Sequence, residues 1–342
     1  MSVRTIADAV LEAPIVTSFT RIGYEARKRL AGWTSLDDYD MTGQVVVLTG
    51  ATSGLGYAAA RQLAACGATL VLVGRSADRN ERVVTELVEA TGNTSISQVP
   101  ADMGDLHQVA ELAARVLADH DRLDVLVHNA GALTPERHVA PDGTEATVAS
   151  QVVGPFLLTT LLLDRLAASA PSRVITMSSG GMYAAGLTVS QLEMPAEKYN
   201  GTEQYARAKR AQVTLNEMWA DRFGDSGIRF HAMHPGWADT PGVDASLPTF
   251  SKLMGPLLRT PEQGADTLVW LAADDLPLES NGGFWLDRRL RSIHKLPTTN
   301  KTDTTDRRRQ LWEWVAQTAG CEPSTPHGET APASGPSNRR TS

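Results

Sequence analysis

From Gln44 onward, short runs of β-branched and aliphatic residues alternate with longer stretches whose apolar positions recur at helical spacing. The short runs are 45–48, 69–73, 95–99, 125–128, 173–177, 228–233 and 283–286, and the helical stretches lie near 55–66, 80–90, 106–119, 143–168, 205–222 and 262–273. Val45-Val46-Val47-Leu48 and Val125-Leu126-Val127 are continuously apolar. That pattern fits strands covered on both faces better than strands with one wet face. Strand and helix alternating this regularly predict an α/β fold: one doubly wound parallel sheet flanked by helices.

Before Gln44, Ile6, Val10, Ile15, Phe19, Ile22 and Leu30 recur loosely among Arg4, Arg21, Arg27, Lys28 and Arg29. This predicts one or two short amphipathic helices in an N-terminal extension, residues 1–42. Such an extension packs on the body of the domain or on a second subunit, as in a homo-oligomer, and its basic charge beside an apolar stripe also suits peripheral contact with a membrane surface. A further helix is expected over 306–318, carrying Trp312 and Trp314 and closing the main domain, residues 43–320. The tail, 321–342, is rich in Pro, Ser, Thr and Gly without apolar periodicity and is expected to be disordered.

Composition narrows the function classes. A chain of 342 residues, 42% hydrophobic and 21% charged, can bury a large core and is neither a disordered nor a fibrous sequence. The formal charge of −7 argues against a nucleic-acid partner, which would select a basic face. The most apolar stretch, 152–163, is short for a bilayer span and contains Pro155. Cys66 and Cys321 are the only cysteines, one in a helix-like stretch and one in a polar tail, so two unpaired thiols in a reducing compartment are expected. No secretory signal pattern opens the chain, and a cytoplasmic location is the expectation.

Between the first strand and its helix stands Thr49-Gly50-Ala51-Thr52-Ser53-Gly54-Leu55-Gly56. Glycines at such a junction permit a tight turn, bring backbone N–H groups close to a pyrophosphate and let the helix approach the sheet, while the helix N-terminus favours an anion. With a strand before it and a helix after it, the cluster predicts a dinucleotide site of the Rossmann type.

The spacing Thr-Gly-x-x-x-Gly-x-Gly resembles the fingerprint of the short-chain dehydrogenase/reductase family. So do Asn129-Ala130-Gly131 after the fourth strand, Ser178-Ser179 after the fifth, Tyr205-Ala206-Arg207-Ala208-Lys209 on a helix and Pro235-Gly236 after the sixth strand. The likeness runs from about 43 to 290. Within the family, 173–182 and 234–243 are most similar to the subgroup called dehydrogenase/reductase family member twelve, and more distantly to retinol-dehydrogenase-like reductases. The resemblance implies an NADP(H)-dependent oxidoreductase that moves a hydride between the nicotinamide and a carbonyl or alcohol carbon. It implies cofactor contacts from Thr49, Gly50, Thr52, Ser53, Gly54, Leu55 and Gly56, from Asn129, Ala130 and Gly131, from Tyr205 and Lys209, and from Pro235, Gly236 and Thr240.

Cofactor choice turns on the end of the second strand. An NAD-preferring site places a carboxylate there to hold the adenosine ribose, whereas here Gly74, Arg75 and Ser76 follow Val73. The missing acid and Arg75 resemble the NADP pattern, with Arg75 and Ser76 on the extra phosphate; the plainer alternative is a solvated surface arginine. Asp102 resembles the family acid that contacts adenine, and it reads equally as the N-cap of the helix beginning at Leu106.

Tyr205 and Lys209 are four apart and share one helix face. An ammonium beside a phenol favours phenolate, which is expected to bring the tyrosine down from its ordinary pKa near 10 toward working range. The resemblance gives Ser179 the hydroxyl that binds the substrate oxygen, leaves Ser178 structural, and gives Lys209 a bond to the nicotinamide ribose. One position departs from the family. Where an Asn ahead of Phe156 supports a water relaying protons to the lysine, this chain has Gln151, one methylene longer.

Residues 187–202 form an insertion expected to wall the substrate. An apolar lid is expected over 237–260, with Trp237, Leu247, Phe250, Leu253, Met254, Leu257 and Leu258, joined by Met182 and Tyr183. Such a lid suits a hydrophobic small-molecule carbonyl or alcohol, although the same residues suit ordinary packing or a dimer face. No acid or cysteine is spaced with His128 or His234 as a metal set requires, so both are expected to be core or loop histidines, and no metal is expected. A different class of function, a non-catalytic NADP-binding sensor or scaffold, is motivated by Gln151 and the extension.

Overall fold

The computed structural model describes residues 8, 11–12, 15–240, 242, 249, 252 and 254–323. The sheet is built from β1 (Val45–Thr49), β2 (Thr69–Gly74), β3 (Ile96–Pro100), β4 (Val125–His128), β5 (Ser172–Met177), β6 (Ile228–Met233), β7 (Phe284–Leu286) and β8 (Arg289–Leu290), in the order β3-β2-β1-β4-β5-β6-β7-β8. All neighbours are parallel except the antiparallel β7–β8 edge. Order reverses at β1, with β2 on one side and β4 on the other, and such a switch point opens a crevice at the carboxyl ends of the strands.

Helices cover both faces. Among the described residues, helices α1 (Ile15–Phe19) and α2 (Arg21–Ala31) precede the sheet. The others are α3 (Gly54–Ala65), α4 (Ala77–Thr91), α5 (Leu106–Asp119), α6 (Gly154–Ala168), α7 (Gly201–Phe223), α8 (Pro261–Ala273), α9 (Pro297–Thr302) and α10 (Thr305–Ala319). Val45 and Val47 face a core shared with α5, α6, α7 and α10, while Val46 and Leu48 face a second core shared with α3 and α8. Burial on both sides is the reason these strands carry no polar alternation.

Three departures from the sequence reading bear on the site. The stretch expected as one helix over 143–168 begins as a single turn, Ala146–Val148, passes through a π-turn, Ala149–Val153, and only then becomes α6. Its 23 residues from Ala146 to Ala168 are long and apolar enough to cross a membrane, yet 72% of the most apolar window is buried inside the protein. The exposed residues of α2 include Ile22 at 53% and Leu30 at 41%, whereas its buried residues are Gly23, Tyr24 and Arg27. Burial of an arginine in place of two aliphatics is explained by its partners: Arg27 pairs with Asp8, Glu12 and Asp287. The expected tail beyond residue 323, the positions Ile6 and Val10, and Leu247, Phe250 and Leu253 of the expected lid lie outside the described residues.

Candidate active site

The glycine turn leaves β1 with Gly50 at φ +69° and enters α3 with Gly54 at φ +53°, a left-handed conformation that only glycine adopts without strain. Gly56 sits where a Cβ would lie 2.0 Å from the Gly50 carbonyl oxygen, so a side chain there would push the helix off the turn. Asn129 ties β4 to this turn: its side-chain amide donates to the carbonyls of Thr49 and Gly50, both at 3.0 Å. The buried Thr49 hydroxyl accepts from the backbone of Asn129 and Ala130. Asn129-Ala130-Gly131 is thereby locked against Thr49-Gly50. The cradle stays open at Ser53, which is exposed, and at the half-exposed Thr52, Gly54 and Leu55.

Arg75 and Ser76 are exposed at the end of β2. The Ser76 hydroxyl caps α4, accepting from the backbone of Arg79, which leaves its own proton free for a ligand oxygen. Asp102, after β3, uses a carboxylate oxygen on the backbone of Gly104. The N-cap reading of Asp102 is corrected here: Asp105 caps α5, accepting from His107 and Gln108. The cap belongs to the residue directly before the first helical turn, where the carboxylate meets unpaired N–H groups.

At the carboxyl ends of β4, β5 and β6 the arrangement is different. The Ser179 hydroxyl, at the end of β5, is near enough to the Tyr205 phenol to pull its pKa down and accepts from the backbone of Gly181 at 3.1 Å. The Lys209 amine lies 5.2 Å from the centre of the Tyr205 ring and donates to the Met177 carbonyl at 2.9 Å. Ser178 does not share this space. Its hydroxyl donates to the Lys209 carbonyl at 3.2 Å, tying β5 to α7.

Electrostatics at this pair run against the sequence expectation. Burial raises the Tyr205 phenol to about 12, with the Ser179 hydroxyl pulling the other way, and burial lowers the Lys209 amine to about 7. Lys209 is only 2% exposed and among the described residues has no carboxylate opposite it to offset its charge, so desolvation outweighs the mutual attraction that spacing alone suggests.

Gln151 lies in the π-turn and is buried. Its side-chain amide donates to the Ala132 carbonyl at 2.8 Å, and its own main-chain carbonyl accepts from the Gln212 side chain at 2.6 Å. Among the described residues the Gln151 Oε1 has no hydrogen-bond partner. Gln212 went unrecognised in the sequence, although it follows Lys209 by three and so shares its helix face. Arg259, Asp287 and Phe19 were missed too; they meet the site only through long-range contacts.

Pro235, Gly236 and Thr240 follow β6, Gly236 in the left-handed region at φ +75°. His234 accepts from the Gly236 backbone through Nδ1, and His128 hydrogen-bonds Thr159; both histidines are buried. Met182 and Tyr183 are buried in a cluster with Phe19, and Trp237 of the expected lid packs against it. The turn after Ser179 packs on Phe19 at Gly180. Within the insertion, Leu187, Leu192 and Met194 are buried, the first two in the core shared with α7 and α10.

A doubly wound sheet with a glycine turn at its switch point and a Ser-Tyr-Lys group beside it defines a nucleotide-dependent oxidoreductase fold and site. The family model of short chain dehydrogenases matches residues 44–249, and the chain belongs to that family. It is 36% identical over 302 residues to human dehydrogenase/reductase SDR family member 12, a match covering 88% of this chain and 94% of the relative. It is 31% identical over 290 residues to human retinol dehydrogenase 13, covering 82% and 86%. A solved protein from Mycobacterium paratuberculosis shares the fold at TM-score 0.67 and 24% identity, over 85% of this chain and 98% of that one. So does L-sorbose reductase from Gluconobacter frateurii, complexed with NADPH and L-sorbose, at TM-score 0.61 and 22% identity, over 72% and 96%. Members of the family are oxidoreductases that bind NAD(P).

Proposed function

We propose that this protein is an NADP(H)-dependent oxidoreductase acting on a carbonyl or alcohol of a hydrophobic small molecule. The observation that carries the reading is the Lys209 amine 5.2 Å from the centre of the Tyr205 ring, with the Ser179 hydroxyl acting on the same phenol, at strand ends adjoining a cradle only glycine can form. The cradle fits a dinucleotide: a Cβ on Gly50 would come within 2.7 Å of Ala130 Cα, so the turn lies tight on the segment after β4, while Ser53 and Gly54 at the start of α3 stay accessible where phosphate oxygens would approach. Thr49 to Gly56 and Asn129 to Gly131 would hold the pyrophosphate region, Asp102 the adenine, and Pro235, Gly236 and Thr240 the far end. Arg75 and Ser76, exposed where a carboxylate would discriminate against a phosphate, support NADP(H) over NAD(H). When bound, the cofactor supplies or accepts the hydride.

The protein's own part is orientation and proton handling. Ser179 donates a hydrogen bond to the substrate oxygen, stabilising charge that develops there. Tyr205 gives that oxygen its proton, or takes it in the reverse direction. The buried Lys209 amine, with its pKa near 7, takes up a proton at modest cost near neutral pH and in that form draws the phenol down. Met254 and Leu257, in the segment that follows Thr240, are half-buried, which supports an apolar substrate.

Tyr205→Phe removes only the exchangeable proton. Against a panel of aromatic, aliphatic and steroid ketones and alcohols, followed by NADPH absorbance, turnover of whichever compound the native protein accepts should fall by at least about 100-fold. NADPH affinity should change less than threefold. Turnover within a few-fold of native would remove Tyr205 from its role, and native protein that binds NADPH yet turns over nothing on the panel would favour the sensor or scaffold reading.

A further inference from the structure

We infer that the N-terminal helices are part of the active site, with Phe19 the residue that sets the spacing of the two turns at its reacting end; the inference rests on the cofactor reading above. Phe19 ends α1 and is 3% exposed. Its ring lies against the backbone just after Ser179: a Cβ added to Gly180 would sit 2.7 Å from it. The same ring meets His234 edge-on at 4.5 Å and Trp237 at 5.8 Å. Its carbonyl accepts from the Trp237 backbone at 2.8 Å and from Arg259 Nε at 3.0 Å. One residue of the extension thus touches the turn after β5, which carries Ser179, and the turn after β6, which carries Pro235 and Gly236.

Arg259 completes the brace. It is 1% exposed, donates to the Ser18 carbonyl at 3.0 Å and the Pro235 carbonyl at 3.2 Å, and pairs with Asp287 at 2.6 Å. Asp287 also pairs with Arg27 of α2 at 2.6 Å and holds φ at +54°, strained for a residue with a side chain. A buried ion pair is a poor device for stability alone, since apolar packing of the same volume does as well or better. Here the planar guanidinium joins two backbone segments, at 18–19 and 235, and the Asp287 carboxylate at fixed geometry, which a hydrophobic side chain could not do. Gly236 fits beneath it because a Cβ there would lie 2.4 Å from Arg259 Nε and 2.6 Å from the Phe19 carbonyl.

The strand order separates the two ends of the cleft. The glycine turn and Arg75 lie after β1 and β2, while Ser179 and Pro235-Gly236 lie after β5 and β6, so the brace bears on the nicotinamide end and leaves the adenosine end alone. Phe19 is therefore a positioning residue for that end and touches neither phosphates nor reacting atoms.

The test uses the purified full chain and two ligands measured by calorimetry: NADPH, and adenosine 2′,5′-bisphosphate, which has the adenosine end only. Phe19→Ala should weaken NADPH at least fivefold while moving the bisphosphate less than twofold, and Phe19→Leu should recover part of the loss. Arg259→Lys keeps a charge opposite Asp287 but lacks the fork that reaches Ser18, Phe19 and Pro235; it should show the same selective loss and decides the matter if Phe19→Ala does not fold. Equal weakening of both ligands, or no change in either, overturns the inference while leaving the cofactor reading standing. Native chain that binds neither NADPH nor NADH overturns both.

Discussion

The two ends of the cleft are built by different means. After β1 and β2, the backbone does the work: glycines at positive φ, a turn held by one asparagine, and Arg75 and Ser76 open to solvent. After β4, β5 and β6, the work passes to buried side chains, each anchored to the main chain of another segment. Lys209 bonds Met177, Gln151 bonds Ala132, Gln212 bonds Gln151, and Ser178 bonds Lys209. A phosphate can be held by bare N–H groups that any short glycine-containing turn presents. Proton transfer asks for donors and acceptors at fixed distance in a dry place, and only a mesh of long-range bonds secures that.

The sharpest way to break this contrast is at the cradle. Gly56→Ala puts a methyl 2.0 Å from the Gly50 carbonyl and 2.5 Å from the Asn129 amide, so the turn must move. NADPH affinity, followed by its fluorescence, should fall by about 100-fold, and the denaturant midpoint should drop by an amount worth roughly 1–3 kcal/mol. Binding kept within threefold would show that this turn is not the phosphate cradle. A smaller effect, confined to specificity, is expected at the open end of β2. Arg75→Glu, being exposed, should leave the melting temperature in place while weakening NADPH about tenfold or more and reversing its preference over NADH. Equal native affinities for NADPH and NADH would make Arg75 an ordinary surface charge.

The smallest expected change reads the buried end through pH. Lys209 titrates near 7 in the folded protein and at 10.5 when unperturbed, so between those values the unfolded chain binds more protons than the native one. Stability contributed by this group therefore rises with pH across that window and is lost on acidification through about 7. Native protein should melt a few degrees higher at pH 9 than at pH 6.5, and Lys209→Met should flatten that slope. An identical slope in the variant would mean that the amine is not held in a desolvated site.

How far the chain's own pattern reaches depends on how local each property is. The strand 228–233 and the helix 106–119 occupy the residues that hydrophobic period alone indicates, because a face buried on a sheet leaves its period in the sequence. The glycine turn was legible for the same reason: positive φ and close backbone approach are demands on single residues. Four-residue spacing likewise put Tyr205 and Lys209 on one helix face. It did not reveal their protonation, which follows from desolvation by neighbours far along the chain. The two-residue strand β8 was invisible because Arg289–Leu290 pairs with β7 across a tight reversal, too short for any period. Arg27, Arg259 and Asp287 find their partners only when the fold brings residues 8–27 and 259–291 together, and Phe19 reads as one apolar position in a loose stripe. Sequence determined the sheet, its order of elements and the glycine turn, since these rest on local periodicity and backbone conformation; tertiary structure decided which charges are buried and which turns are braced, since desolvation and pairing depend on partners as many as 283 positions apart, as between Asp8 and Arg291, or 260, as between Arg27 and Asp287.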